Sequence, residues 1–254
     1  MKKTLWALVV LCLLAAPFIG QAETPQDEWR QQIVRWTEQL AAGDDRFNAF
    51  PKADRRWQSV GTNRDDWVVT FEQSNRPIGY LIVGEEERAL RLLEYGLGAH
   101  PLFTEQPFVP LPSDTKTPFY AGLHSVWITD DGLIDAKSGE HYPQTAKRPS
   151  NFKPIDPIYE RAALTAVQLS RYADNTQPWI KPEGKITDEP DLIEHLDKGL
   201  NLSYVAHLFE GEILAPFATR GYHRWGKSIY VELEDDGSRF LPVKHALQWG
   251  VFYP

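Results

Sequence analysis

The chain has 254 residues, 27 of them basic and 35 acidic, for a net charge of −8 at neutral pH. That balance disfavours nucleic acid and other anionic polymers as bulk electrostatic partners. Cys12 is the single cysteine and Met1 the single methionine, so no disulfide framework within the chain can form.

The first predicted element is a signal peptide over residues 1–22. Lys2 and Lys3 precede an apolar run from Leu5 to Ile19 that Pro17 breaks late, and Gly20 and Ala22 supply small residues before a cleavage point at Glu23. The run falls short of the roughly 20 residues of a spanning helix. A secreted or cell-envelope protein is therefore expected, with tethering by an uncleaved signal segment as the alternative. No integral span is expected beyond that segment. Cys12 follows Leu11, not the small residue that a lipid-attachment cysteine requires, and belongs to the apolar run. Cleavage would remove Lys2 and Lys3, leaving 25 basic residues against 35 acidic ones, a net charge of −10. It would also leave a chain free of Cys and Met, with no thiol nucleophile and no sulfur to oxidise.

The next element is a helix. Thr24 is placed to cap it, Pro25 suits the first helical position, and Asp27 stands where a capping-box acid would. Trp29, Ile33, Trp36 and Leu40 fall on one face at helical spacing, and Gly43 is the stop. Strand-like runs follow at Trp67–Phe71, Ile78–Val83 and Ala89–Tyr95, joined by connections short enough for hairpins. Then comes LLEYGLGAHPLF, residues 92–103. It lacks the third glycine of a dinucleotide fingerprint and the Gly-Lys-Ser/Thr ending of a phosphate loop. Gly96 and Gly98 are read as letting the chain turn out of the strand, with Pro101 fixing the exit and His100 lining any groove there. A further hairpin is expected at SVWITDDGLIDA, with Asp131-Gly132 in its turn.

The order of these motifs, WVVTF, IGYLIV, LLEYGLGAHPLF, LHSVWIT and LIDAKSGE, resembles that of exported, uncharacterised proteins of spore-forming Gram-positive bacteria. The helix-plus-meander with its DAKSGE ending is similar to PepSY and cystatin-like modules. That second resemblance implies an association with extracellular peptidases and a restraining or inhibitory role.

Residues 146–157 are polar and proline-rich and read as a linker. It divides a PepSY/cystatin-like α+β domain at 23–145 from a second small α+β domain at 158–254. In the second domain, Asp156-Pro157 predicts a helix over IYERAALTAVQLSRY, residues 158–172, and a short helix is expected from Pro190 to Lys198. Antiparallel strands are then expected at Leu202–Phe209, Ile213–Thr219, Ser228–Leu233 and Arg239–Val243, with Asp236-Gly237 marking a hairpin. The fold class is thus α+β, an N-terminal helix packed on an antiparallel meander and then helices followed by strands.

This second part weakly resembles papain-like peptidases of the double-glycine-cleaving type. In that resemblance the helix would carry Tyr159 or Glu160 where the cysteine nucleophile belongs, and His223 would be the histidine. Without a thiol the resemblance implies a peptidase-like domain reused for binding.

No catalytic residue can be assigned. The chain holds no G-x-S-x-G elbow, no H-E-x-x-H, and no His/Cys cluster of zinc-ligand spacing. Its acidic pairs lack the alternating ligands of a calcium loop. No cofactor and no metal site are expected. Nine tryptophans offer aromatic surface for a partner or a sugar, although Trp29, Trp36, Trp67 and Trp127 read as core. Tyr222, His223 and Trp225, read as lying between two strands, and His100 are the candidate binding residues. The function expected is non-catalytic binding or inhibition of another extracytoplasmic protein. An extracytoplasmic hydrolase and a cell-wall glycan-binding protein are the alternatives.

Overall fold

The computed structural model of the chain describes residues 25–60, 66–104, 116–147, 153–169, 184–200 and 202–254. The expected signal peptide, Cys12 and the Thr24 cap lie outside them. Among the described residues no helix is long and apolar enough to cross a membrane.

The helix α1 (Pro25–Gly43) forms as its apolar spacing dictates, with Ile33, Trp36 and Leu40 fully buried along one face. Two single 3-10 turns, Asp45–Phe47 and Phe50–Lys52, lead into the strands β1 (Asp54–Val60), β2 (Asp66–Gln73), β3 (Arg76–Glu86) and β4 (Ala89–Leu97). A small separate sheet holds β5 (Thr117–Phe119), β6 (Val126–Thr129) and β7 (Gly132–Asp135). After β8 (Ile158–Tyr159), β9 (Leu164–Leu169) and the helix α2 (Glu189–Asp197) come β10 (Ser203–Leu208), β11 (Ile213–Trp225), β12 (Ser228–Glu234) and β13 (Ser238–Pro242). The chain ends with α3 (Val243–Trp249) and β14 (Gly250–Tyr253).

The architecture is α+β, as expected. One large antiparallel sheet runs β1-β2-β3-β4-β13-β12-β11-β10-β14, with β8 added to β4 and β9 to β11. Strands from both sides of residues 146–157 share it, because β4 pairs with β13 through Tyr95↔Phe240 and Arg239↔Gly96. The segment read as an interdomain linker therefore joins two parts of a single sheet.

Side chains alternate across this sheet. Val69, Phe71, Leu81, Val83, Tyr95, Phe240 and Tyr230 point to the α1 side and pack with Ile33, Trp36 and Leu40. Val68, Tyr80 and Ile82 point to the other side, where Tyr120, Trp127 and Ile134 of the small-sheet region cover them. A third cluster fills the far end, where Leu192 and Leu196 of α2 and Ala246 of α3 pack on Tyr204, Val231 and Phe252.

Three local expectations need correction. The helix expected over 158–172 is absent from the described part of that range, which forms β8 and β9. Its Ala, Leu and Gln are good helix formers, but propensity is a weak prior that tertiary pairing overrides. Here β9 pairs with β11 (Val167↔His223, Leu164↔Trp225), and the Leu164 N–H donates to Gln39 Oε1 of α1 at 2.9 Å. The β6–β7 turn is Asp130-Asp131, because Gly132 already pairs with Thr129. Gly96 lies inside β4, between Tyr80 and Arg239 in register, while Gly98, at φ +132°, makes the turn. A Cβ on Gly96 would collide with the Ser238 carbonyl oxygen and the Tyr80 ring. Gly96→Ala is accordingly expected to cost about 1–3 kcal/mol in urea unfolding, the range for overpacking a filled core. An unchanged midpoint would contradict the close approach.

Candidate functional site

Tyr222, His223 and Trp225 do not lie between strands; they lie within β11 and are buried, at 5 %, 0 % and 1 % exposure. His223 and Trp225 join a hydrogen-bonded line on the α1 side of the sheet. Trp225 Nε1 donates to the Tyr95 hydroxyl oxygen at 2.9 Å, Tyr95 sits 3.0 Å from His223 Nδ1, and His223 Nε2 sits 3.2 Å from Asp44 Oδ2. The pattern closes if Tyr95 donates to Nδ1 and Nε2–H donates to Asp44, which leaves a neutral imidazole. Burial lowers the His223 pKa by more than Asp44 raises it. Burial alone would raise the Asp44 carboxyl, but hydrogen bonds from His223 and Arg46 outweigh it and hold the group well below the usual carboxylate range. Arg46 also grips Glu232, at 2.5 and 2.9 Å, and Ser238 Oγ donates to the same carboxylate at 2.6 Å.

In outline this is an acid–histidine–hydroxyl relay. Its hydroxyl belongs to Tyr95, which is fully buried, and burial pushes that phenol well above its ordinary pKa. No substrate atom can approach Tyr95 in this fold. The line instead fastens the turn after α1 to the centre of the sheet. The hydroxyl of Tyr222, on the opposite side of β11, donates to Asp197 of α2.

A second buried set lies on the other side of the sheet. Glu94 accepts from Arg239 Nε and Nη2 at 2.9 and 3.2 Å, from Tyr120 at 3.0 Å, and from Tyr80. Lys137, of the DAKSGE turn, donates to the carbonyl oxygens of His100 at 2.8 Å and Asp236 at 3.2 Å. His100 itself keeps 38 % of its side chain exposed, with Nε2 3.8 Å from Asp236. It stands apart from the β11 trio. The two positions that the papain-like resemblance singles out are also structural. Tyr159 pairs with Arg91 across β8 and β4, and Glu160 Oε1 accepts the Leu90 N–H at 3.2 Å. Among the described residues no group of three or more His, Cys, Asp or Glu is arranged to hold a metal ion.

The concave feature with accessible aromatic walls lies elsewhere. Trp29 and Arg30 from the start of α1, Trp57 from β1 and Trp67 from β2 line a groove of about 190 Å³. The three indoles are half-buried and Arg30 is exposed. Trp57 and Trp67 share a face of the sheet because Trp57 pairs with Val69 and Ser59 with Trp67. Their rings meet edge to face, 6.5 Å between centroids at 71°. Ser59 stands on the same face, and its buried hydroxyl has no hydrogen-bond partner among the described residues.

Sequence reasoning placed Trp29 and Trp67 in the core and did not predict β1. The missed signal is positional. Trp29 lies in the first turns of α1, beyond the end of the fully buried stripe, and Trp57 sits in the terminal strand, so both are only half-buried.

No family model, no curated protein and no solved structure matches this chain.

Proposed function

We propose that this chain is an exported, non-catalytic binding protein and that its contact site is the groove of Trp29, Trp57 and Trp67. One observation carries the proposal. Titratable groups with strongly shifted pKa values, Asp44, Tyr80, Tyr95 and Arg239 among them, are buried and held by neighbouring side chains, while the groove of Trp29, Trp57 and Trp67 offers accessible aromatic walls; a second hollow, of about 350 Å³, is polar and lined by Lys52, Asp54 and Glu72. An enzyme site wants convergent titratable groups in a cleft; a binding site wants aromatic anchors that a partner can desolvate. Export rests on the signal-like residues 1–22.

A protein ligand, such as the extracytoplasmic peptidase implied by the PepSY resemblance, has separate support. β1 ends the sheet, and an extended segment added to it would lie beside the groove.

Tryptophan footprinting tests the proposal. In the free protein, oxidation by N-bromosuccinimide should modify Trp29, Trp57 and Trp67 before the buried Trp36 and Trp225. Envelope or culture-fluid extract should then protect those three. Protection elsewhere, with the groove still reactive, would place the contact on another surface.

A further inference from the structure

We infer that the groove holds one pyranose ring of an uncharged glycan, with Arg30 donating to its hydroxyls. The inference rests on the binding role just proposed and narrows its ligand to a chemical class.

Two features of the groove converge on that class. First, its walls are indoles from three separate elements. The face of an aromatic ring carries negative charge density, and the C–H-bearing face of a pyranose presents a flat, weakly positive surface to it. Second, Arg30 is exposed at the rim and makes no ion pair or hydrogen bond among the described residues. Arg46, Arg56, Arg91, Arg220 and Arg239 each hold a carboxylate. A guanidinium offers five donors in a planar fork and no acceptor, so its ligand must bring oxygen acceptors, and neighbouring sugar hydroxyls supply a pair. A purely apolar protein side chain would shield Arg30 from water without meeting its donors. A sugar is apolar on its faces and hydrogen-bonding around its edge, which suits indole walls and an arginine rim together.

Charge decides between neutral and acidic glycans. The chain is −8 overall, and a polyanion would meet that field along its length while gaining one cation at the groove. An uncharged polymer meets no such opposition.

The test is a titration of the full mature chain, followed by tryptophan fluorescence and calorimetry. The probes are cellohexaose, chitohexaose and xylohexaose as neutral oligosaccharides, and hexagalacturonate as the acidic one. At least one neutral probe should give a saturable signal, and hexagalacturonate should bind no more tightly. Trp67→Ala should weaken that binding at least tenfold, on the scale of a buried aromatic anchor. Arg30→Gln should weaken it about tenfold, as expected for hydrogen bonds to a charged donor, with an unfolding midpoint equal to wild type because Arg30 supports no other residue.

Absence of a saturable signal with every neutral probe would overturn the inference. Tighter binding of hexagalacturonate, or neutral binding indifferent to Trp67→Ala and Arg30→Gln, would overturn it as well. Groove protection by an extract in the footprinting experiment, together with silence toward all four sugars, would sink the glycan class alone and leave the binding role standing. Failure of both experiments would remove the binding role too.

Discussion

Glu94→Ala should destabilise the protein by about 3–5 kcal/mol, the cost of removing one partner from a buried charge pair. Glu94 is fully buried and Arg239 nearly so, and the carboxylate takes both Arg239 nitrogens and the hydroxyls of Tyr80 and Tyr120. Alanine would leave a guanidinium in the protein interior with only Asp235, at 3.1 Å, and the Gly122 carbonyl, at 3.1 Å. The effect should reach beyond one strand. Tyr120 and Gly122 belong to the segment that joins β5 to β6 of the small sheet, so losing the Glu94 anchor should loosen that sheet from the large one. Hydrogen exchange would show this as faster exchange in β6 and β7 than in β2 and β3. Replacing Arg239 and Glu94 together with apolar residues of similar volume should cost less than Glu94→Ala alone, because no charge is then stranded. A double variant no more stable than the single one would contradict this account of the pair.

Acid should weaken the fold well before the carboxylates titrate. His124 and His245 lie together in the far core beside Trp249, with ring centroids 4.3 and 6.1 Å from it. Burial pushes His124 down to about 4 and His245 down to about 3, the latter aided by charge on His124 and Arg239. Both are held neutral in the fold and take up protons near 6.5 when unfolded. The unfolded state therefore binds more protons as pH falls, so the stabilisation is complete above about 6.5 and is lost progressively below it. At pH 4 the loss should be on the order of 3 kcal/mol for each histidine. Asp44, whose pKa is depressed, adds its own loss only below the ordinary carboxylate range near pH 4. Urea midpoints at pH 7.5, 6, 5 and 4 measure the slope. His124→Gln keeps an acceptor for the Phe209 N–H, now 3.2 Å from His124 Nε2, and should flatten that slope in part, with His245 and the buried His223, whose pKa burial also lowers, carrying the rest. An unchanged slope would place the acid sensitivity elsewhere.

Periodicity made much of this fold legible before the structure. The α1 stripe of Ile33, Trp36 and Leu40, the β2–β3–β4 meander and the Asp236-Gly237 hairpin all follow from local pattern. What local pattern could not carry is pairing between distant segments. The sequence of β9 is helical in composition and becomes a strand because β11 and Gln39 take up its backbone groups. β1, with the sequence DRRWQSV, lacks the apolar alternation of a half-buried strand because it stands at the end of the sheet. The junction of β4 with β13 brings together residues more than a hundred positions apart, and a proline-rich stretch between them looks like a boundary from sequence alone.

The candidate site shows the same limit. Tyr222, His223 and Trp225 attracted attention for their chemistry, yet their polar atoms bond to Asp197, Asp44 and Tyr95 from other elements. No spacing rule announces those partners. Trp29 and Trp67 read singly as core residues, Trp57 lay in an unrecognised strand, and the three become a groove only when the start of α1 is laid beside the edge of the sheet.

The central claim is that this protein binds through that groove and performs no chemistry at its buried histidine. Capture of envelope and culture-fluid material by the protein tests it most directly, with wild type compared against Trp57→Ala/Trp67→Ala. The wild type should retain a defined ligand, and the double variant should lose at least about 2 kcal/mol of affinity, roughly thirtyfold, while remaining folded by circular dichroism. Equal capture by a folded double variant would contradict the account.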